Sequence, residues 1–266
     1  MATVRKIYTF LDSIAPFSIQ MDFDNAGFLV GDANVQISRV LCALDITEAV
    51  IEEAVAKQAN LIVTHHPVIM NPLKTVTGDS RTGALVMKLI QSGIAVISAH
   101  TNLDAVEGGV NDVLAQLLGV ENAVIFLNES PDPAGRLSGI GRIGRRSGAV
   151  PANFSVFSAF VKKQLKVDAL RCYDAGKPVE RIAVLGGSGG DYVEAAFQRG
   201  CDTYVTSDVK HHHYLDALGF GINLIDAGHF KTEDVIIPAL VRQLAAAFPT
   251  AEILRSEACQ QPYLSY

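Results

Sequence analysis

Short apolar runs rich in Ile, Val and Leu alternate along this chain with longer stretches whose apolar residues recur at helical spacing. The short runs predict strands, because branched side chains favour an extended backbone. Strands are expected at Val40–Leu44, Leu61–Thr64, Ile94–Ala99, Ala169–Tyr173, Arg181–Leu185, Asp202–Thr206, Gly221–Asp226 and Ala251–Leu254. The periodic stretches predict helices over Val4–Ala15, Glu48–Gln58, Arg81–Gln91 and Pro151–Leu165. Further helices are expected after Gly109 and after Glu233. Thr47 is placed to cap the second of these helices, and Pro151 suits a first helical turn. Regular alternation of strand and helix implies βαβ units and an α/β fold with mostly parallel strands.

Where each strand stops is more telling than the strand itself. Leu61-Ile-Val-Thr64 runs into His65 and His66, and Pro67 biases His66 towards an extended backbone. Adjacent extended residues point their side chains to opposite sides. The pair therefore suits two neighbouring metal ions better than one shared ion. The strand ending at Ala99 leads into His100 and Asp104, and the strand ending at Asp226 leads into His229 and Glu233. His229 and Glu233 are four apart and share a face if a helix begins there. Parallel strands gather such ends on one edge, where α/β sheets bind ligands. Imidazole and carboxylate donors suit a divalent transition metal, and a carboxylate such as Asp104 or Glu233 can bridge two ions. Two such ions would polarise a substrate oxygen and generate a hydroxide nucleophile near neutral pH.

Three other stretches carry weaker signals. Asp22-Phe-Asp-Asn-Ala-Gly27 reads as a turn, which accounts for Asp24 and Asn25. Gly186-Gly-Ser-Gly-Gly190, between a strand and a helix opening near Asp191, could bring backbone N–H groups to an anion, but a tight turn explains it equally well. Arg136, Arg142, Arg145 and Arg146 fall among glycines, and a twisted hairpin with solvated arginines is the expectation for them. His211, His212 and His213 follow Ser207 and Asp208. If either of those two caps a helix, the three imidazoles fan around it. His211 and His212 then join His100 as candidates for proton transfer or substrate contact, and His213 is expected in solvent.

Composition narrows the function classes. The 266 residues are 49% hydrophobic and 19% charged, which suits a globular chain able to bury a sizeable core. A formal net charge of -6 argues against a dedicated nucleic-acid binder. The four cysteines form no C-x-x-C pair, and Cys42 sits in an apolar run that suggests core. No run approaches the roughly 18 apolar residues of a membrane span. A cytoplasmic protein with reduced thiols is expected.

The segments THHPV, SAHTNLDA with GGVND, SDVKHH and LIDAGHFKTE, in that order, resemble the signature segments of the Nif-three-like family, also named GTP cyclohydrolase I type 2. The resemblance runs from DFDNAGFLVG to LIDAGHFKTE and is weakest between about Glu121 and Val179. It implies that His65 and His229 bind one ion, that His66 and Asp104 bind a second, and that Glu233 bridges them. It also implies two interlinked α/β domains, one formed by residues 1–125 with 223–266 and the other by 126–222, and a ring-like homohexamer. Phe23 stands where the family commonly has Trp, and Ser207 where it has Gly. The expected activity is a dinuclear metal-dependent hydrolysis of a nucleotide or phosphorylated small molecule, with purine-ring opening of GTP as the form the family name suggests. The metals compatible with the donors are zinc, iron, manganese, cobalt and nickel. The competing expectations are a non-catalytic protein of metal storage, delivery or regulation, and a nucleic-acid-associated ring using the Arg136 to Arg146 strip.

Overall fold

The computed structural model describes residues 2–264. Two compact units arise from the chain: residues up to Leu103 together with Ile237–Gln260, and Asp104–Ile236 together with the residues from Gln261. The segment Asp104–Ile236 is thus inserted in the sequence of the first unit, and the chain returns to the second unit at Gln261. The breaks expected after residue 125 and before 223 fall instead within the strand Val120–Pro131 and next to Asn223–Asp226, both hydrogen-bonded into the second unit's sheet.

The first unit is built on a five-stranded sheet in the order Glu252–Arg255, Arg39–Ala43, Leu61–Thr64, Ala95–Ser98, Gly27–Val30. The first four strands run parallel and only Gly27–Val30 is antiparallel. Thr47 accepts from the Val50 N–H as the cap of the helix Glu48–Ala56, and Ser80 caps Arg81–Gln91 in the same way. Val50, Ile51 and Ala54 from the first helix and Leu85, Val86 and Leu89 from the second pack on Leu41, Ile62 and Val96 of the sheet. Each of the Val, Ile and Leu side chains contributes about 1.5–3 kcal/mol of burial. Cys42 lies in this sheet, fully buried, and burial pushes its thiol up to about 12. It is core, as its apolar run suggests.

The second unit carries a six-stranded mixed sheet in the order Val120–Pro131, Leu137–Arg146, Arg181–Ser188, Thr203–Ser207, Asn223–Asp226, Arg171–Tyr173. The third, fourth and fifth strands are parallel, and the flanking strands are antiparallel. Phe154, Phe157, Val161 and Leu165 of the helix Phe154–Leu165 pack with Leu114 and Leu118 against Ile182, Val184, Val205 and Ile225.

Four local expectations need correction. Pro151 does not open its helix. Asn153 does, because its Oδ1 accepts from the Val156 N–H at 3.1 Å and outcompetes a proline that only fixes a dihedral. Asp208 caps nothing: it adopts a left-handed backbone with φ of 54°, and the helix begins later, at His211. That delay turns His213 inward, where it is 3% exposed rather than solvated. The arginines do lie on a hairpin, but they are not solvated as a set. Arg142 is 4% exposed, pairs with Asp112, and donates to the carbonyls of Gly139, Gly141 and Val106. Arg146 donates to the carbonyls of Val179 and Val150 and pairs with Glu180. Donors spent on the protein's own acceptors leave little for phosphates.

Candidate metal centre

In the first unit, parallel register places three strand ends side by side. Ala43 pairs with Thr64, and Thr64 with Ser98. Asp45, His65, His66 and His100 consequently emerge at one sheet edge. Two hydrogen bonds brace that edge: Thr64 and Ser98 hydroxyls meet at 2.7 Å, and the Thr64 Oγ1 donates to the His66 carbonyl at 2.9 Å. The rings of His65, His66 and His100 are 5.0 to 5.5 Å apart, centre to centre. Their ligand nitrogens fall within 4.8 Å of one another. The expected opposition of His65 and His66 is therefore relaxed, because the strand ends at Thr64 and both histidines lie in the bend that follows.

Each of these rings is oriented through Nδ1. His65 Nδ1 lies 2.9 Å from the Ala99 carbonyl, His66 Nδ1 2.8 Å from Asp45 Oδ1, and His100 Nδ1 2.7 Å from Asp24 Oδ1. Asp24, whose side chain is fully buried, also accepts from the Thr101 N–H and hydroxyl. Burial alone would raise its carboxyl, but the bonds from His100 and Thr101 outweigh that and hold it at about 2. The residue read as a turn former is thus an ionised anchor for His100.

The second unit assembles a set of its own. His229 opens the short helix His229–Glu233, so the two side chains share a face, and His229 Nε2 lies 2.9 Å from Glu233 Oε2. His229 Nδ1 lies 2.8 Å from Asp208 Oδ2. Burial would lower the His229 pKa, but Asp208 and Glu233 on its two nitrogens reverse that and raise it to about 10. Glu233 is 4% exposed, and a carboxylate oxygen of Asp104 lies within 4.8 Å of one of its own. Gly187, with φ of +69°, makes this possible, because a Cβ there would overlap Glu233 Oε1. The glycine run is therefore a matter of close packing, with Gly190 giving way to His213 in the same manner.

The donor set fits a divalent metal. Four imidazoles, of His65, His66, His100 and His229, have Nδ1 against an oxygen acceptor. That bond points to Nε2 as the ligand atom, a second layer typical of metal-ligating histidines, and on His229 a cation would replace the proton that Nε2 holds towards Glu233. In the second unit, the Asp208 and Glu233 carboxylates favour positive charge beside His229. Another group, Asp191, His212 and His213, brings its ligand atoms within 4.8 Å but does not fit. The Lys210 N–H donates to His213 Nδ1 at 3.1 Å, which puts the neutral ring's proton on Nε2, directed at Asp191 2.9 Å away. That histidine locks a helix start. His211 and His212 stand exposed on the first turn of His211–Phe220.

Sequence reasoning missed Asp24, Asp45 and Asp208, which hold His100, His66 and His229. A usable signal existed for two of them: Asp45 and Asp208 follow strand ends, as the histidines do.

No helix among the described residues is long and apolar enough to cross a membrane. A family model described as Duf34/NIF3 (NGG1p interacting factor 3) matches residues 2–262. A protein of Clostridium acetobutylicum named GTP cyclohydrolase 1 type 2 homolog is 36% identical over 247 residues, 92% of this chain and 90% of the relative. One of Streptococcus pneumoniae with the same name is 32% identical over 262 residues, 95% of each. Among solved structures, a Bacillus cereus protein related to NIF3 superposes with a TM-score of 0.91 at 26% identity, covering 100% of this chain and 99% of that one. A Staphylococcus aureus hypothetical protein gives 0.90 at 31% identity, with 99% of each chain covered. The signature segments, the α/β architecture and the match over nearly the whole sequence agree, and the chain belongs to the Duf34/NIF3 family.

Proposed function

We propose that this protein is a hydrolase dependent on two divalent ions, acting on a nucleotide or another phosphorylated small molecule. The ligands in this reading are His65, His66, Asp104, His229 and Glu233. The observation that carries it is the common orientation of the imidazoles, each with Nδ1 tied to an oxygen acceptor. When bound, the ions supply Lewis acidity and lower the pKa of water towards neutrality. The chain's own part is orientation and proton handling. Asp45 and Asp208 hold two ligand rings in one tautomer, and the buried Glu233 offers two oxygens in a fixed place. His100, half-buried and anchored by the ionised Asp24, is the group assigned to move a proton at Nε2. His211 and His212 are assigned substrate contact from their exposed helix turn. The names of the relatives support a nucleotide as substrate, with GTP the first to test. A homohexameric ring accompanies this reading, and sedimentation equilibrium measures it directly.

The test is a hydrolysis screen over nucleotides and phosphoesters at fixed metal supply, run beside Glu233→Gln. The reading expects turnover of at least one substrate and its loss in the variant, with the cooperative unfolding transition retained. Bound metal with no turnover across the screen would favour metal storage or delivery instead.

A further inference from the structure

A pocket of about 350 Å³ opens in the second unit beside the His229 support. It is lined by Ala169, Leu170, Arg171, Asp208, Asp226, Gly228 and Tyr263. Two of these, Asp208 and Gly228, tie it to the candidate metal residues: Asp208 holds His229 Nδ1, and Gly228 is the preceding residue. Gly228 is required there twice over. Its φ is +80°, and a Cβ would come 2.9 Å from the Tyr263 hydroxyl. Tyr263, 47% exposed, lines the pocket with its hydroxyl close to Gly228.

The lining has a distinct division of chemistry. Ala169, Leu170 and the Tyr263 ring contribute the apolar part of the lining. Arg171 pairs with Asp226 and donates to the Val209 carbonyl at 3.1 Å, both through Nη2, and its side chain is 67% exposed. Among the described residues both of these contacts use Nη2, so Nε–H and the Nη1 hydrogens are the donors Arg171 can turn towards a ligand. Asp208, 47% exposed, supplies an acceptor. A ligand matched to such a wall is flat, apolar on its faces, and carries acceptors and donors along one edge. The volume is within the range of small-molecule sites.

We propose that this pocket binds the nucleobase of a purine nucleoside, with Tyr263 as stacking platform and Arg171 and Asp208 as its edge contacts. This deepens the hydrolase reading by naming the base as the recognised part of the substrate, and it places that base next to the residue that orients His229. The binding itself requires no metal. Base stacking on an aromatic ring is sequence-tolerant and strong enough to dominate affinity for a nucleoside.

The experiment is calorimetric titration of chelator-treated protein with guanosine, adenosine and ribose, on the wild-type chain, Tyr263→Ala, Tyr263→Phe and Arg171→Gln. The purine nucleosides are expected to bind and ribose not to. Tyr263→Ala is expected to weaken purine binding by about tenfold or more, Tyr263→Phe to keep it within about threefold, and Arg171→Gln to weaken it severalfold. Tyr263 is half-exposed near the end of the chain, so its replacement leaves the core intact. Ribose binding as well as guanosine, or an unchanged affinity in Tyr263→Ala, would overturn the pocket. Metal analysis of the same wild-type preparation before chelation separates the two readings: two ions with no purine binding removes the pocket alone, and purine binding without any metal capacity removes the hydrolase alone.

Discussion

If the proposed metal centre is correct, Gly187→Ala is predicted to weaken its metal binding although none of the proposed ligands is substituted. The position combines two constraints. Its φ of +69° lies in the left-handed region, where a side chain costs about 1–2 kcal/mol. The added Cβ would also overlap Glu233 Oε1 and come within 3.0 Å of Glu233 Cδ. A glutamate end is flexible, so the side chain swings away and the strand stays. That movement breaks the 2.9 Å contact between Glu233 Oε2 and His229 Nε2. A charge-assisted bond of this kind contributes about 1.5–3 kcal/mol. Total destabilisation is therefore expected at about 2.5–5 kcal/mol, read from urea denaturation of metal-free protein. Metal affinity, read by competition with a chelating dye, is expected to fall by more than about 100-fold, since a ligand is displaced and not merely misoriented. Gly176→Ala is the control. Its φ is +71°, but nothing lies within 4 Å of its Cβ. It should lose only the backbone contribution and bind metal normally. Wild-type metal affinity in Gly187→Ala, or equal loss in Gly176→Ala, would refute the reasoning.

Three further predictions follow from other contacts. Asp208→Asn should weaken metal binding by about 10–100-fold with little loss of stability, because the His229 ring loses a charged anchor but keeps its place in the helix; an unchanged affinity in dye competition would contradict this. Arg142→Gln should cost about 3–5 kcal/mol in urea denaturation, since it leaves Asp112 and three backbone carbonyls short of a partner; a surface-like effect below about 0.5 kcal/mol would not fit. Glu53 gives a pH dependence. Burial would raise its carboxyl, but bonds from Lys57, Ser256 and the N–H groups of Glu257 and Ala258 hold it at about 2. A depressed carboxyl stabilises the fold above its unfolded value of about 4.5, by about 3 kcal/mol at most, and that stabilisation disappears as pH falls through about 2. The stability gap between wild type and Glu53→Ala should therefore be full at pH 7 and shrink steadily below pH 4.5, and a gap that grows on acidification would contradict the assignment.

The elements with strong local signals were legible in the sequence. The strand Leu61–Thr64 and the caps at Thr47 were readable because branched residues and a hydroxyl before a periodic run act within a few positions. The metal candidates stood out for a similar reason, since His65, His100 and His229 each come within three residues of a strand's end. What stayed hidden depends on distant partners. Arg142 looked solvated because Asp112 lies 30 positions away, and Asp24 looked like a turn former because His100 lies 76 away. His213 was misplaced by a single backbone choice, the left-handed Asp208, which shifts the helix start and so the buried face. The mixed order of the second sheet follows from a hairpin, Val120–Pro131 with Leu137–Arg146, whose glycines obscured its strand pattern.

The central claim is a pair of divalent ions held by His65, His66, Asp104, His229 and Glu233. Metal content per chain by mass spectrometry, on untagged protein prepared without chelator and beside Glu233→Ala, tests it most directly. The account predicts about two ions per chain in the wild type and a sharp fall in the variant. Near-zero metal that added zinc, manganese or iron fails to restore would contradict it, and the oriented imidazoles would then be hydrogen-bonding elements of the fold alone.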